Sequence, residues 1–129
     1  MDALTGPVAQ AYAGVLHAVA VADRALSGAE SARLDQVLEA RCPGVDREEL
    51  FFSRVTPEAF GAAVKTHAAA ARVAIGQAFI ADAVAVATAD GELGGAVATV
   101  IVRCARCLGL TQAEVGAVTS DLDAWLGGL

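Results

Sequence analysis

Two stretches of the chain repeat each other at an offset of 67 residues (90 − 23). Val19-Ala20-Val21-Ala22-Asp23-Arg24-Ala25-Leu26-Ser27-Gly28-Ala29 lies over Val86-Ala87-Thr88-Ala89-Asp90-Gly91-Glu92-Leu93-Gly94-Gly95-Ala96. Val, Ala, Ala, Asp, Leu, Gly and Ala coincide. Each copy reads as an apolar helix, an acidic turn, a Leu that folds back, and a second helix. Neither hairpin can bury its apolar face alone, so the two must share one core. The predicted fold is therefore all-α: a bundle of about six to seven helices in two pseudo-symmetric helix-turn-helix halves, one domain over residues 1–129.

Composition agrees with helices. Hydrophobic residues are 56 % of the chain and aromatics only 5 %, so the apolar content is mostly Ala, Val and Leu. Ala is the best helix former, whereas strands favour aromatic and β-branched residues. A mean hydropathy of +0.54 excludes global disorder. Net charge is −6, which excludes a nucleic-acid binder working through phosphate neutralisation.

Local signals place the helices. Thr5-Gly6-Pro7 puts proline at a helix start, where its missing N–H costs nothing. Val8, Tyr12, Val15, Leu16 and Val19 mark one apolar face to about Ala22. Ser27 and Glu30 form a capping box, and the helix after it carries Leu34, Val37 and Leu38 and stops at Cys42-Pro43-Gly44. Asp46 and Glu49 repeat the pattern before a short helix at Leu50 and Phe51. Adjacent Phe51 and Phe52 point about 100° apart on a helix, so one of them either marks a contact patch or tucks under a loop. Thr56-Pro57 opens a stretch to Ala87 that is too long for a small domain, so a break is expected near Thr66 or Gly76. A helix from Gly95 to Leu108 ends at Gly109, and Thr111 with Glu114 caps a last helix running to Trp125.

The uncharged run Ala3–Ala22 is as long as a membrane span, but Gly6, Pro7, Gln10, Gly14 and His17 make it a poor one. No span is expected, nor a secretory signal, because Met1-Asp2 lacks the positive start. Cys42, Cys104 and Cys107 are an odd set that suggests reduced thiols in a cytoplasm. Cys104-Ala-Arg-Cys107 supplies at most two ligands of the four a structural zinc needs.

The acidic turns are the candidate site. Asp23, Glu30, Asp90 and Glu92 would give four carboxylates if both turns meet at one end of the bundle, and such a cluster calls for a cation. The opposing reading is structural: Glu30 belongs to its capping box, Asp90-Gly91 is an ordinary turn, and Asp23 ends a helix. A different class of function remains open, a small helical enzyme or ligand-binding protein with an apolar pocket. Cys42, Cys104, His17 or His67 would then supply its polar groups. A third reading is an acidic subunit whose apolar helix face is covered by another protein.

Val-Ala-x-Ala-Asp-Gly-x-Leu, with an acid seven residues after the Asp, resembles the TerB-like family of tellurite-resistance proteins. Val19-Ala-Val-Ala-Asp23…Leu26…Glu30, Val86-Ala-Thr-Ala-Asp90-Gly91-Glu92-Leu93 and Leu108-Gly109-Leu110-Thr111-x-x-Glu114 carry the resemblance over residues 8 to 120. It implies an all-helical cytoplasmic module whose acidic turns bind a divalent metal ion such as Ca²⁺. It also implies a protein partner or homo-oligomer in a stress-response assembly near the inner membrane surface. The pattern is incomplete in both halves. Arg24 stands where the family has Gly, and Val97 where it has the distal acid.

Overall fold

Caps and prolines set the helix boundaries of the computed structural model, which describes residues 2–22, 26–50 and 55–129. In chain order the described helices are α1 (Gly6–Ala20), α2 (Gly28–Arg41), α3 (Arg47–Leu50), α4 (Pro57–Val64), α5 (Ala69–Ala87), α6 (Gly95–Cys107) and α7 (Gln112–Gly116), closed by a 3₁₀ turn over Asp123–Gly128. No strand occurs among the described residues.

Two of the three capping patterns form as full boxes, whereas the Asp46 carboxylate accepts from the Glu48 N–H at 3.0 Å and not from Glu49. The Ser27 hydroxyl accepts from the Glu30 N–H at 3.0 Å while the Glu30 carboxylate accepts from the Ser27 N–H at 3.1 Å. Thr111 and Glu114 do the same at 3.1 and 2.9 Å. Thr56 caps α4 by accepting from the Ala59 N–H, with Pro57 in the first turn. Gly109 takes φ +74°, and the N–H groups of Gly109 and Leu110 donate to Arg106 and Ala105, a Schellman end that L-residues other than glycine resist.

One boundary falls at the first of its two expected places, near Thr66, and one differs from the sequence reading. The break in the long apolar stretch falls at residues 65–68, and Gly76 sits inside α5. Gly76 is there for packing: a Cβ would lie 3.0 Å from the Leu110 side chain. The last helix is not continuous to Trp125. It stops at Gly116, and the chain turns before the 3₁₀ segment, whose Leu122 and Leu126 return to the core. The readings of Arg24 and of Phe51 and Phe52 lie outside the described residues.

The hairpins α1–α2 and α5–α6 are both present, and α1 packs against α2, α4, α5 and α6. At their junction Tyr12 of α1, Phe60 of α4 and Phe79 of α5 are fully buried and meet edge-to-face, with centroids 4.9–5.7 Å apart. Small residues let the helices approach. A Cβ on Gly61 would stand 2.4 Å from the Cys107 carbonyl, so α4 and α6 touch backbone to backbone. Among the described residues one helix, α5, is long and apolar enough to cross a bilayer by length and composition, with 19 residues and mean hydropathy 1.5. It carries the buried Asp82 and packs against α1, α2, α6 and α7.

Candidate functional site

The acidic residues of the repeat are placed unequally. Asp23 lies outside the described residues. Glu30 is buried, and its carboxylate is engaged in the capping box with Ser27. Asp90 and Glu92 are exposed in the turn between α5 and α6. No described hydrogen bond joins Glu30 to Asp90 or Glu92. Among the described residues no group of three or more His, Cys, Asp or Glu lies close enough to hold a metal ion.

Glu92 nevertheless has an acidic neighbour that the repeat did not reveal. An open cleft of about 410 Å³ is lined by Thr88, Gly91, Glu92 and Leu93 from the turn, and by Asp121 and Trp125 from the C-terminal segment. Glu92 and Asp121 are 29 positions apart (121 − 92), and folding brings them to one cleft. Neither carboxylate forms a salt bridge among the described residues; those present are Arg41–Asp82, Arg47–Asp35 and Arg103–Glu58. Asp121 belongs to no motif, so nothing in the sequence could have paired it with Glu92.

This donor set limits the cation it could take. Ca²⁺ in a protein cage takes six to eight oxygens, whereas Mg²⁺ is commonly held by one or two carboxylates and keeps several waters. The cleft offers two carboxylates, Glu92 and Asp121, far short of a cage built wholly of protein.

The cysteines and histidines are arranged differently from a nucleophilic site. Cys42 and Cys104 are buried and all three thiols are free. Burial, and then the Asp82 carboxylate, pushes the Cys42 thiol up to about 11. Burial, and then Cys107, pushes Cys104 up to about 12. Activated cysteines have depressed pKa values, so these shifts run the opposite way. His17 is buried in α1, and burial, with Arg47 nearby, lowers its pKa below the ordinary value. His67 is half-buried in the α4–α5 connection.

A buried polar network that sequence reading missed ties three helices. The Tyr12 hydroxyl donates to Asp82, and the Arg41 Nε donates to the same carboxylate oxygen at 2.9 Å. Tyr12 is fully buried and Asp82 is 9 % exposed. Burial, reinforced by the Asp82 charge, raises the Tyr12 pKa, and the bond to Asp82 raises that of Arg41. The one signal in the sequence was a lone acid in the apolar run Ile80-Ala81-Asp82-Ala83-Val84. Asp82 and Arg41 also line a groove of about 320 Å³ beside α2.

Comparison with known proteins adds the family. The family model described as tellurite resistance protein TerB matches residues 9–119. No curated protein matches the chain. No solved structure matches it either. The match covers both hairpins, the connecting α4 and the Thr111–Glu114 cap, which are the elements that build the shared core. The chain belongs to the TerB tellurite-resistance family.

Proposed function

We propose that this protein is a binding module that works by docking and not by turnover, with the acidic cleft at the α5–α6 turn as its contact. The observation that carries this reading is the meeting of Glu92 and Asp121, from distant parts of the chain, beside Trp125 in one open cleft. Two carboxylates without salt-bridge partners among the described residues, in a chain of net charge −6, attract cations. A hydrated divalent ion is the ligand class, with Glu92 as the repeat-derived donor and Asp121 as the added one. The acids of the other half, Asp23 and Glu30, are the second donor pair that the repeat suggests, and Glu30 already gives one oxygen to the Ser27 N–H. Bound there, the ion would supply positive charge between this surface and a partner's acidic groups.

Family membership supports a place in a stress-response assembly of the tellurite-resistance type, close to the inner face of the membrane. The partner is another protein or a second copy. Free thiols support a reducing, cytoplasmic setting.

Calorimetric titration with Ca²⁺, Mg²⁺, Mn²⁺ and Zn²⁺ tests the reading. At least one ion should bind the native protein, and Glu92→Gln or Asp121→Asn should weaken it about tenfold, the equivalent of about 1.4 kcal/mol. Absence of heat for all four ions, or unchanged binding in both variants, would overturn it.

A further inference from the structure

The stripe Arg33, Gln36, Val37, Ala40 and Arg41 has the i, i+3, i+4, i+7, i+8 spacing that normally seats a helix on its core. In α2 it does something else. Leu34 and Leu38 make the core contact, while Arg33, Gln36 and Ala40 are exposed along a groove of about 320 Å³ whose other wall is Asp82 of α5. Charges on α2 are sorted around this groove. Both arginines of the helix line it, while Asp35 and Glu39 line a different cleft and Asp35 pairs with Arg47. Asp82, the one acid on the groove, is already taken by Arg41 and Tyr12. Arg33 has no salt bridge among the described residues, which leaves a net positive groove on an acidic protein.

Arg41 is also prepared for a ligand. Asp82 takes its Nε, and the buried Tyr12 hydroxyl fixes Asp82 in turn. The Tyr12 hydroxyl also lies beside the guanidinium, and the side chain stays 29 % exposed on the groove, within reach of another acceptor. A guanidinium held in this way has already lost the rotamer freedom that ligand binding would otherwise cost. Its planar fork matches carboxylate and phosphate. Arg33 stands two helical turns away, about 12 Å along the axis. Between the two lie the Gln36 amide and the small apolar surface of Val37 and Ala40.

We propose that the α2–α5 groove binds a small organic anion, with its carboxylate or phosphate group on Arg41, its body along Val37 and Ala40, and Arg33 as the second cation. The site is separate from the acidic cleft, so either can fail without the other.

Arginine Nε–H signals in ¹H–¹⁵N NMR spectra, followed during titration with succinate and with inorganic phosphate, test it on the intact protein. Saturable shifts of the Arg41 and Arg33 signals are expected with at least one probe, and sodium chloride at equal ionic strength should not reproduce them. The stronger probe assigns the anionic group. Arg33→Gln, which removes an exposed side chain without a salt bridge, should weaken binding at least fivefold while the Arg41 Nε–H signal of the free protein stays in place. Shifts that never saturate, that chloride reproduces, or that Arg33→Gln leaves unchanged would overturn the proposal.

Discussion

Tyr12 and Phe79 pack edge-to-face with ring centroids 5.3 Å apart, and they occupy the same position in the two copies of the repeat, 67 residues from each other (79 − 12). A residue that touches its own repeat mate lies where the two halves meet. The aromatic pair is thus the junction of the duplicated hairpins. Its chemical asymmetry, a phenol facing a phenyl, allows one polar bond there. The Tyr12 hydroxyl makes it to Asp82, one turn beyond Phe79.

Asp82→Ala should destabilise the protein by about 2–3 kcal/mol, because it strands the buried Tyr12 hydroxyl and removes the acceptor of Arg41. Asp82→Asn, which keeps an acceptor, should cost less. Denaturant midpoints at constant slope check the order.

Gly61→Ala should cost about 1–3 kcal/mol, since the added methyl would overlap the Cys107 carbonyl and force α4 from α6. Gly28→Ala at the start of α2 meets nothing within 4 Å and should be neutral or slightly stabilising. Thermal unfolding of the two variants side by side separates packing from backbone effects.

His17 predicts an acid-side loss of stability. Its pKa in the fold lies below the ordinary 6.5, chiefly through burial and then through Arg47. The unfolded chain therefore binds a proton that the folded chain refuses. Stability is fully present above pH 6.5, falls as the pH drops toward the lowered folded value, and levels below it. His17→Gln should flatten the stability curve just below pH 6.5, read from urea midpoints at closely spaced pH values.

Thiol labelling should be graded. Cys107, half-buried, should react first with iodoacetamide at neutral pH. Cys42 and Cys104, buried and pushed up to about 11 and about 12, should react only as the protein opens. Peptide mass mapping after timed quenching reads the order. Fast native labelling of Cys104 would contradict the packing.

The helices were legible because their signals are local. A capping box spans four positions, as at Ser27–Glu30 and Thr111–Glu114, and the proline after Thr56 is its own marker. The break in the apolar stretch was foreseen, but Gly76 was a false candidate for it: a glycine that breaks a helix and one that admits Leu110 look alike in one dimension. The candidate site was only half legible. Asp90 and Glu92 stand in a recognisable turn, but their neighbour Asp121 carries no local mark.

The sequence by itself determined that the chain is helical, where most helices begin and end, and that two hairpins must share a core. Periodicity, capping and duplication act over a few residues or repeat at a constant offset. Only the tertiary structure decided which polar groups meet: Asp82 with Tyr12 and Arg41, Glu92 with Asp121, and Arg33 with no salt-bridge partner among the described residues. Those pairings depend on how α5 lies against α1 and α2 and on where the C-terminal segment returns. Such placements are fixed by the summed packing of the whole core, which no short stretch of residues encodes.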